Sequence, residues 1–115
     1  MLAKTHRVSA PADFRRAMNK GVRVNFNAVT VYVLNRHDSD PSRAGFIVSK
    51  AVGNAVTRNV VKRRLRDITA AVMVDFPTGF DIVVRPLAGS DSVMFDVLMK
   101  DVTEAVVRVS RRGSK

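Results

Sequence analysis

Between Val22 and Leu34 the side-chain pattern repeats every second residue, with Val29, Val31 and Val33 alternating with Thr30, Tyr32 and Leu34. Successive side chains on a strand point to opposite faces, and a branched Cβ suits a pleated surface better than a helix. The run therefore reads as one long strand, with a shorter strand around Val22 to Phe26 before it. Both faces of the longer strand carry apolar groups. An isolated hairpin is marginal in water, so a strand of this kind requires a larger sheet with helices packed on it.

The rest of the chain supplies those partners. Pro11 and Asp13 are helix-start signals after Ser9, which reads as the cap. Phe14, Ala17 and Met18 recur at helical spacing, and Gly21 ends a helix over 11–20. Asn35 to Arg43 reads as a loop, and Ala44 to Ser49 as a third strand. Gly53-Asn54 introduces a helix over 55–74, ended by Pro77 and Gly79. Phe80 to Arg85 is a short apolar strand stopped by Pro86. Ser90 or Asp91 caps a third helix whose stripe is Val93, Val97, Met99, Val102 and Val106. Residues 1–9 read as a basic arm and 111–115 as a basic, solvated tail. The expectation is an α/β fold of the α+β two-layer sandwich type. Its order is helix-β-β-β-helix-β-helix, with helices packed on a mixed four-stranded sheet in one domain over 1–115.

Charge narrows the partner. Twenty Lys and Arg face ten Asp and Glu among 115 residues, a net charge of +10. Self-repulsion of that size is relieved by a polyanion, most often nucleic acid. An anionic membrane would also serve. However, the chain has neither Trp nor Cys for an interfacial or acylated anchor, and no apolar run reaches the ~18 residues needed to span a bilayer. The charged N-terminus is followed by no apolar stretch, so no signal peptide is expected. Without Cys there are no disulfides or thiolate metal sites, and the cytoplasm is the expected compartment.

The helix over 55–74 carries the sharpest signal. At 3.6 residues per turn Arg58, Lys62 and Arg66 fall within an arc of roughly 80°, with Asn59 at its edge and Arg63 just beyond. Val61, Leu65, Ile68 and Val72 form a separate apolar arc on the same helix. A solvated face usually mixes signs at i, i+4, yet no acid occurs between Arg58 and Arg66. Like charges at that spacing cost the free helix a few tenths of a kcal/mol each, whereas a phosphate backbone reverses the sign. The pattern reads as a ridge that meets a phosphate backbone rather than as an ordinary solvated face.

The run Gly45-Phe46-Ile47-Val48-Ser49-Lys50, then Gly53-Asn54-Ala55-Val56, then Arg58-Asn59-x-x-Lys62-Arg63-x-x-Arg66 resembles the signature of the bacterial ribonuclease P protein. Arg7-Val8, Asp13-Phe14 and Arg85-Pro86 extend the likeness over most of the chain. Two positions depart from it: Val60, where many members carry a second Arg, and Met18, where an aromatic is common. The resemblance implies a ribosomal-protein-like domain with a left-handed crossover, although roughly 98% of such connections are right-handed. It implies that the RNA subunit is the ribozyme and holds the catalytic Mg²⁺, with no metal bound tightly by the protein. The protein would be a monomer in an RNA–protein heterodimer. It would bind the RNA subunit through Arg58, Asn59, Lys62, Arg63 and Arg66, and the 5′ leader of precursor tRNA in a cleft between the first helix and the sheet. The leader residues by that likeness are Phe14, Met18, Tyr32, Ser49 and Lys50.

Phe14 and Met18 must face the same way, as core residues or as an apolar platform for unpaired bases. Protein-catalysed cleavage of RNA needs paired acid–base groups or clustered carboxylates. His6 and His37 are the only histidines, one in the arm and one in a polar loop, and both read as solvated. The acids are scattered, and Asp38 and Asp40 look like turn residues. No residue of the protein is expected to be catalytic. The alternative is a structural RNA-binding protein of ribosomal type. A helix-turn-helix DNA binder fits poorly, because the basic helix follows a strand.

Overall fold

The computed structural model describes residues 4–113. Strands β1 (Val22–Asn25), β2 (Val29–Asn35), β3 (Arg43–Phe46) and β4 (Phe80–Pro86) form one sheet in the order β1-β2-β4-β3. The β1–β2 and β2–β4 pairs are antiparallel and β3–β4 is parallel. Neighbouring parallel strands need a long crossover, which here contains helix α2 (Ala55–Asp75). Helices α1 (Pro11–Lys20) and α3 (Phe95–Gly113) complete the expected order.

Register divides the sheet into two chemically different faces. Val24, Val31, Val84 and Phe46 align across the four strands. With Val29, Val33, Ile82 and Ala44 they form the main core, closed by Val61, Leu65, Ile68 and Val72 of α2 and by Leu98, Val102, Ala105, Val106 and Val109 of α3. One residue over, Arg23, Tyr32, Val83 and Gly45 align on the opposite face. There Ala17, Tyr32 and Val83 make a smaller core with Phe14, Leu34 and Ile47 against it. The mixed sheet with packed helices is as expected. Its layering goes beyond a two-layer sandwich, because both faces of β2 are apolar and each takes a helical cover.

Several boundaries move for local reasons. The residue capping α1 is Ala10, whose side chain makes no cap bond, with Pro11 beginning the helix, rather than Ser9. Strand β3 stops at Phe46, and only the Ile47 N–H, bonded to the Val84 carbonyl at 3.0 Å, continues its pairing towards Ser49. Ser90–Ser92 is a separate 3₁₀ turn after Gly89, which has φ 88°, so neither Ser90 nor Asp91 caps α3. Val93 consequently precedes α3 and Val97 is 46% exposed, while Val102 and Val106 of the expected stripe are buried, with Leu98 joining them. Arg111 and Arg112 lie in the last turn of α3 rather than in a loose tail, a position where cations complement the helix dipole. Residues 114–115 of that tail, and residues 1–3 of the arm, lie outside the described residues.

The arm is not free over its described part. Arg7 forms a parallel bridge with Ala44, the Val8 N–H bonds the Ala44 carbonyl at 2.9 Å, and Val8 is buried. The His6 Nδ1 lies 2.8 Å from the Ser42 carbonyl, so this imidazole is half-buried rather than fully solvated. The segment covers the open edge of β3, which would otherwise present unpaired backbone groups.

Asp81, expected within an apolar strand, is fully buried. Arg43 grips it with two bonds of 2.9 and 2.8 Å, Arg36 adds a third, and Arg16 lies 3.6 Å away. Asp13 of α1 joins through Arg16 and Arg43, each at 3.3 Å. The bond to Asp81 raises the pKa of Arg43 above its ordinary value, although burial acts against it. In the adjoining loop the Arg36 hydrogen bond holds the Asp38 carboxyl below its ordinary value. Burying a carboxylate is tolerable only with this many partners. Asp81→Ala should therefore destabilise the protein by about 3–5 kcal/mol, since it leaves paired guanidinium groups without their anion; denaturant unfolding checks this.

Candidate nucleic-acid interface

The ridge begins at a well-defined helix start. Gly53 has φ 152°, which disfavours a side chain, and a Cβ there would lie 2.9 Å from Thr57. The Asn54 side chain then accepts the Thr57 N–H at 2.9 Å, capping α2. From that start Val61, Leu65 and Ile68 reach 0% exposure. Asn59, Arg63 and Arg66 are exposed, and Arg58 and Lys62 are half-buried. Arg64 differs from its neighbours: it donates to the Asp91 carbonyl at 2.9 Å and ties α2 to the turn before α3. Among the described residues none of the ridge cations forms an ion pair, and the Arg58 Nε is buried without a hydrogen-bond partner. Arg58, Asn59 and Lys62 border a shallow depression of about 200 Å³. Val60 is half-buried, off the ridge.

The second predicted group sits around α1. Phe14 is half-buried and packs with Tyr32 and Val83, which belong to the sheet face beneath it. Met18, one turn on, is 37% exposed. Tyr32 is 5% exposed, with the Arg23 guanidinium 5.9 Å from its ring centroid. It therefore supplies a floor more than an open stacking platform. Ser49 and Lys50 are exposed in the connection from β3 to α2. Phe14 and Tyr32 thus come together in one cluster, whereas Ser49 and Lys50 stand on the segment leading to the ridge.

Periodicity alone missed part of this surface. Arg85 shares the α1 side of the sheet with Tyr32 and Val83, is exposed, and pairs in register with Thr30. Beside it, the Asn25 Oδ1 accepts from Thr30 at 3.1 Å and from Arg23 at 3.2 Å. The alternation of β4 would place Arg85 there, given the face on which Val83 lies. Among the described residues no group of three or more His, Asp or Glu side chains is arranged to hold a metal ion. Asp13, Asp38 and Asp40 do border a cleft of about 660 Å³, but with Arg16, Arg36 and Arg43 among them.

Gly45 sets how closely α1 approaches the sheet. A Cβ at this position would lie 2.7 Å from the Phe14 ring and 2.9 Å from Val8. Gly45→Ala should thus push Phe14 and the arm off the sheet and cost about 1–3 kcal/mol, as overpacking does. A thermal melt checks the cost, and an unchanged melting temperature would show that the seat is looser than this.

Comparison with known proteins points one way. The family model described as Ribonuclease P matches residues 2–110. The chain is 41% identical over 111 residues to the ribonuclease P protein component of Clavibacter michiganensis, covering 96% of this chain and 98% of that one. It is 44% identical over 112 residues to that of Kocuria rhizophila, covering 97% and 98%. Among solved structures, the Staphylococcus aureus RNase P protein superposes with a TM-score of 0.76 at 29% identity, covering 92% of this chain and 96% of that one. The Thermotoga maritima protein gives 0.71 at 26%, covering 85% and 92%.

Proposed function

The chain belongs to the ribonuclease P protein family, and from that premise we propose that it binds the catalytic RNA subunit through α2 and the 5′ leader of precursor tRNA beneath α1. The observation that carries the reading is the division of α2. One side is core at Val61, Leu65 and Ile68, while the other presents Arg58, Asn59, Lys62, Arg63 and Arg66 with no ion pair among the described residues. Such a face gains free energy only when phosphate meets it. Arg binds phosphate oxygens with two parallel bonds, so the ridge holds RNA in a defined orientation.

In this reading the protein performs no chemistry. Phosphodiester cleavage runs on the RNA subunit and the Mg²⁺ it holds, and the protein, one copy per RNA in the cytoplasm, positions the precursor. Mature and precursor tRNA are equally dense in phosphate, so preference for the precursor requires contacts to the unpaired leader. Phe14, Met18 and Tyr32 provide the apolar wall and floor for it, and Ser49 and Lys50 the polar and cationic groups at its backbone. Arg85 joins them as a cation on the floor.

Two outcomes test the two surfaces. Replacing Arg58, Lys62 and Arg66 together with Ala should lower the slope of log K against log salt, for binding to a bacterial ribonuclease P RNA, by about 0.7 to 0.9 for every phosphate no longer neutralised. Phe14→Ala should reduce the reconstituted holoenzyme's affinity for precursor by about 1–3 kcal/mol, as removal of one base stack does, and leave mature tRNA nearly unaffected. A melt run beside it separates this from loss of fold. In the same assay, RNA-free protein should leave precursor uncut; leader removal by the protein alone would refute the division of labour.

A further inference from the structure

The arm, α1, β3 and α2 meet around a crevice of about 180 Å³. Its charged lining is Arg7, Lys62 and Arg66, and no acid lines it. Its apolar lining includes Phe14, Gly45 and Phe46. Arg7 is not there by chance of a loose tail. Its backbone bridges Ala44, and the next residue, Val8, is buried and bonded to the Ala44 carbonyl at 2.9 Å. Lys62 and Arg66 stand one turn apart on a helix whose other side is core. Among the described residues, no ion pair or side-chain hydrogen bond involves any of the three cations.

Three like charges brought together by fixed backbone repel one another, and nothing among the described residues offsets that cost. An anion between them reverses it. The neighbouring surfaces indicate which kind. Lys62 and Arg66 belong to the ridge, and Phe14 belongs to the wall of the leader cleft, so the crevice is the seam where the two proposed RNA surfaces join. We infer that Arg7, Lys62 and Arg66 form a discrete site for one RNA backbone phosphate at this seam, with the N-terminal arm supplying a third of its charge. The inference rests on the reading of α2 and α1 above. It adds Arg7 and makes the two surfaces continuous. The phosphate comes either from the RNA subunit or from the precursor leader.

Arg7→Gln keeps the aliphatic stem and removes the charge; because the side chain is exposed, the melting temperature should stay unchanged. Lys100→Ala, an exposed cation on α3, removes the same charge away from the seam. The salt dependence of binding is measured for each variant with ribonuclease P RNA alone, and for each holoenzyme with precursors carrying and lacking the leader. Arg7→Gln should lower the slope by about 0.7 to 0.9 relative to Lys100→Ala in one of these arms, and Arg7→Lys should restore it. A change with the RNA alone assigns the phosphate to the RNA subunit, whereas a change confined to leader-bearing precursor assigns it to the leader. If Arg7→Gln matches Lys100→Ala in every arm while the Arg58, Lys62 and Arg66 variant still has a reduced slope, the seam site is wrong and the ridge stands. If the ridge variant also keeps its slope, the ridge reading itself falls.

Discussion

The pairing of β2 with β4 is the constraint on which the rest of the molecule depends. It runs from Val29↔Pro86 to Asn35↔Phe80 in the centre of the sheet. Its register decides that Val31 and Val84 face α2 and α3, while Tyr32 and Val83 face α1. A slip by one residue would exchange the two sets and put Asp81 and Arg85 into the main core. Because the register holds, α2 lies with its apolar side inward and can only turn its cations outward. The same register seats α1 over Gly45 and Tyr32. The ridge and the cleft are thus two consequences of one ladder, on opposite faces of one sheet.

Net charge conceals a division of labour among the arginines. Arg16, Arg36 and Arg43 belong to the network around the buried Asp81, and Arg64 holds the turn before α3. Each of these guanidinium groups has an acidic or carbonyl partner within the fold. Among the described residues Arg58, Arg63 and Arg66 have no such ion pair. A polyelectrolyte interaction needs the second kind, because a phosphate gains most from a cation that gives up only water to meet it. The count of twenty basic residues therefore overstates the charge left without a partner inside the fold.

The two surfaces proposed to meet RNA also differ in build. On the ridge Asn59, Arg63 and Arg66 are exposed, while Arg58 and Lys62 are half-buried. The wall and floor around Phe14 and Tyr32 are largely packed, with Tyr32 almost fully buried and Arg23 over its ring. In the proposed leader site stacking would fall to the exposed part of Phe14 and Met18, and Arg85 and Asn25 lie on the same face of the sheet. As a leader site, such a surface would tolerate different bases, since an apolar wall does not read hydrogen-bonding edges.

The sequence by itself determined the elements and the ridge. Alternation in Val29 to Leu34 and the 3.6-residue period in Val61 to Val72 are local patterns, and local patterns survive without knowledge of the partner. The family likeness was equally legible, because it rests on the contiguous run from Gly45 to Arg66. What only the tertiary structure decided were matters of pairing. Asp81 read as one acid in an apolar strand, since its partners Arg36 and Arg43 lie 45 and 38 residues away. The arm read as loose because nothing in residues 1–9 shows that Ala44 will offer a free carbonyl. Val97 read as core although the turn at Gly89 shifts the start of α3 and turns Leu98 inward. Secondary structure is written in near neighbours. Burial, ion pairing and the meeting of Arg7 with Lys62 and Arg66 depend on contacts between residues far apart in the chain, which no short window of sequence contains.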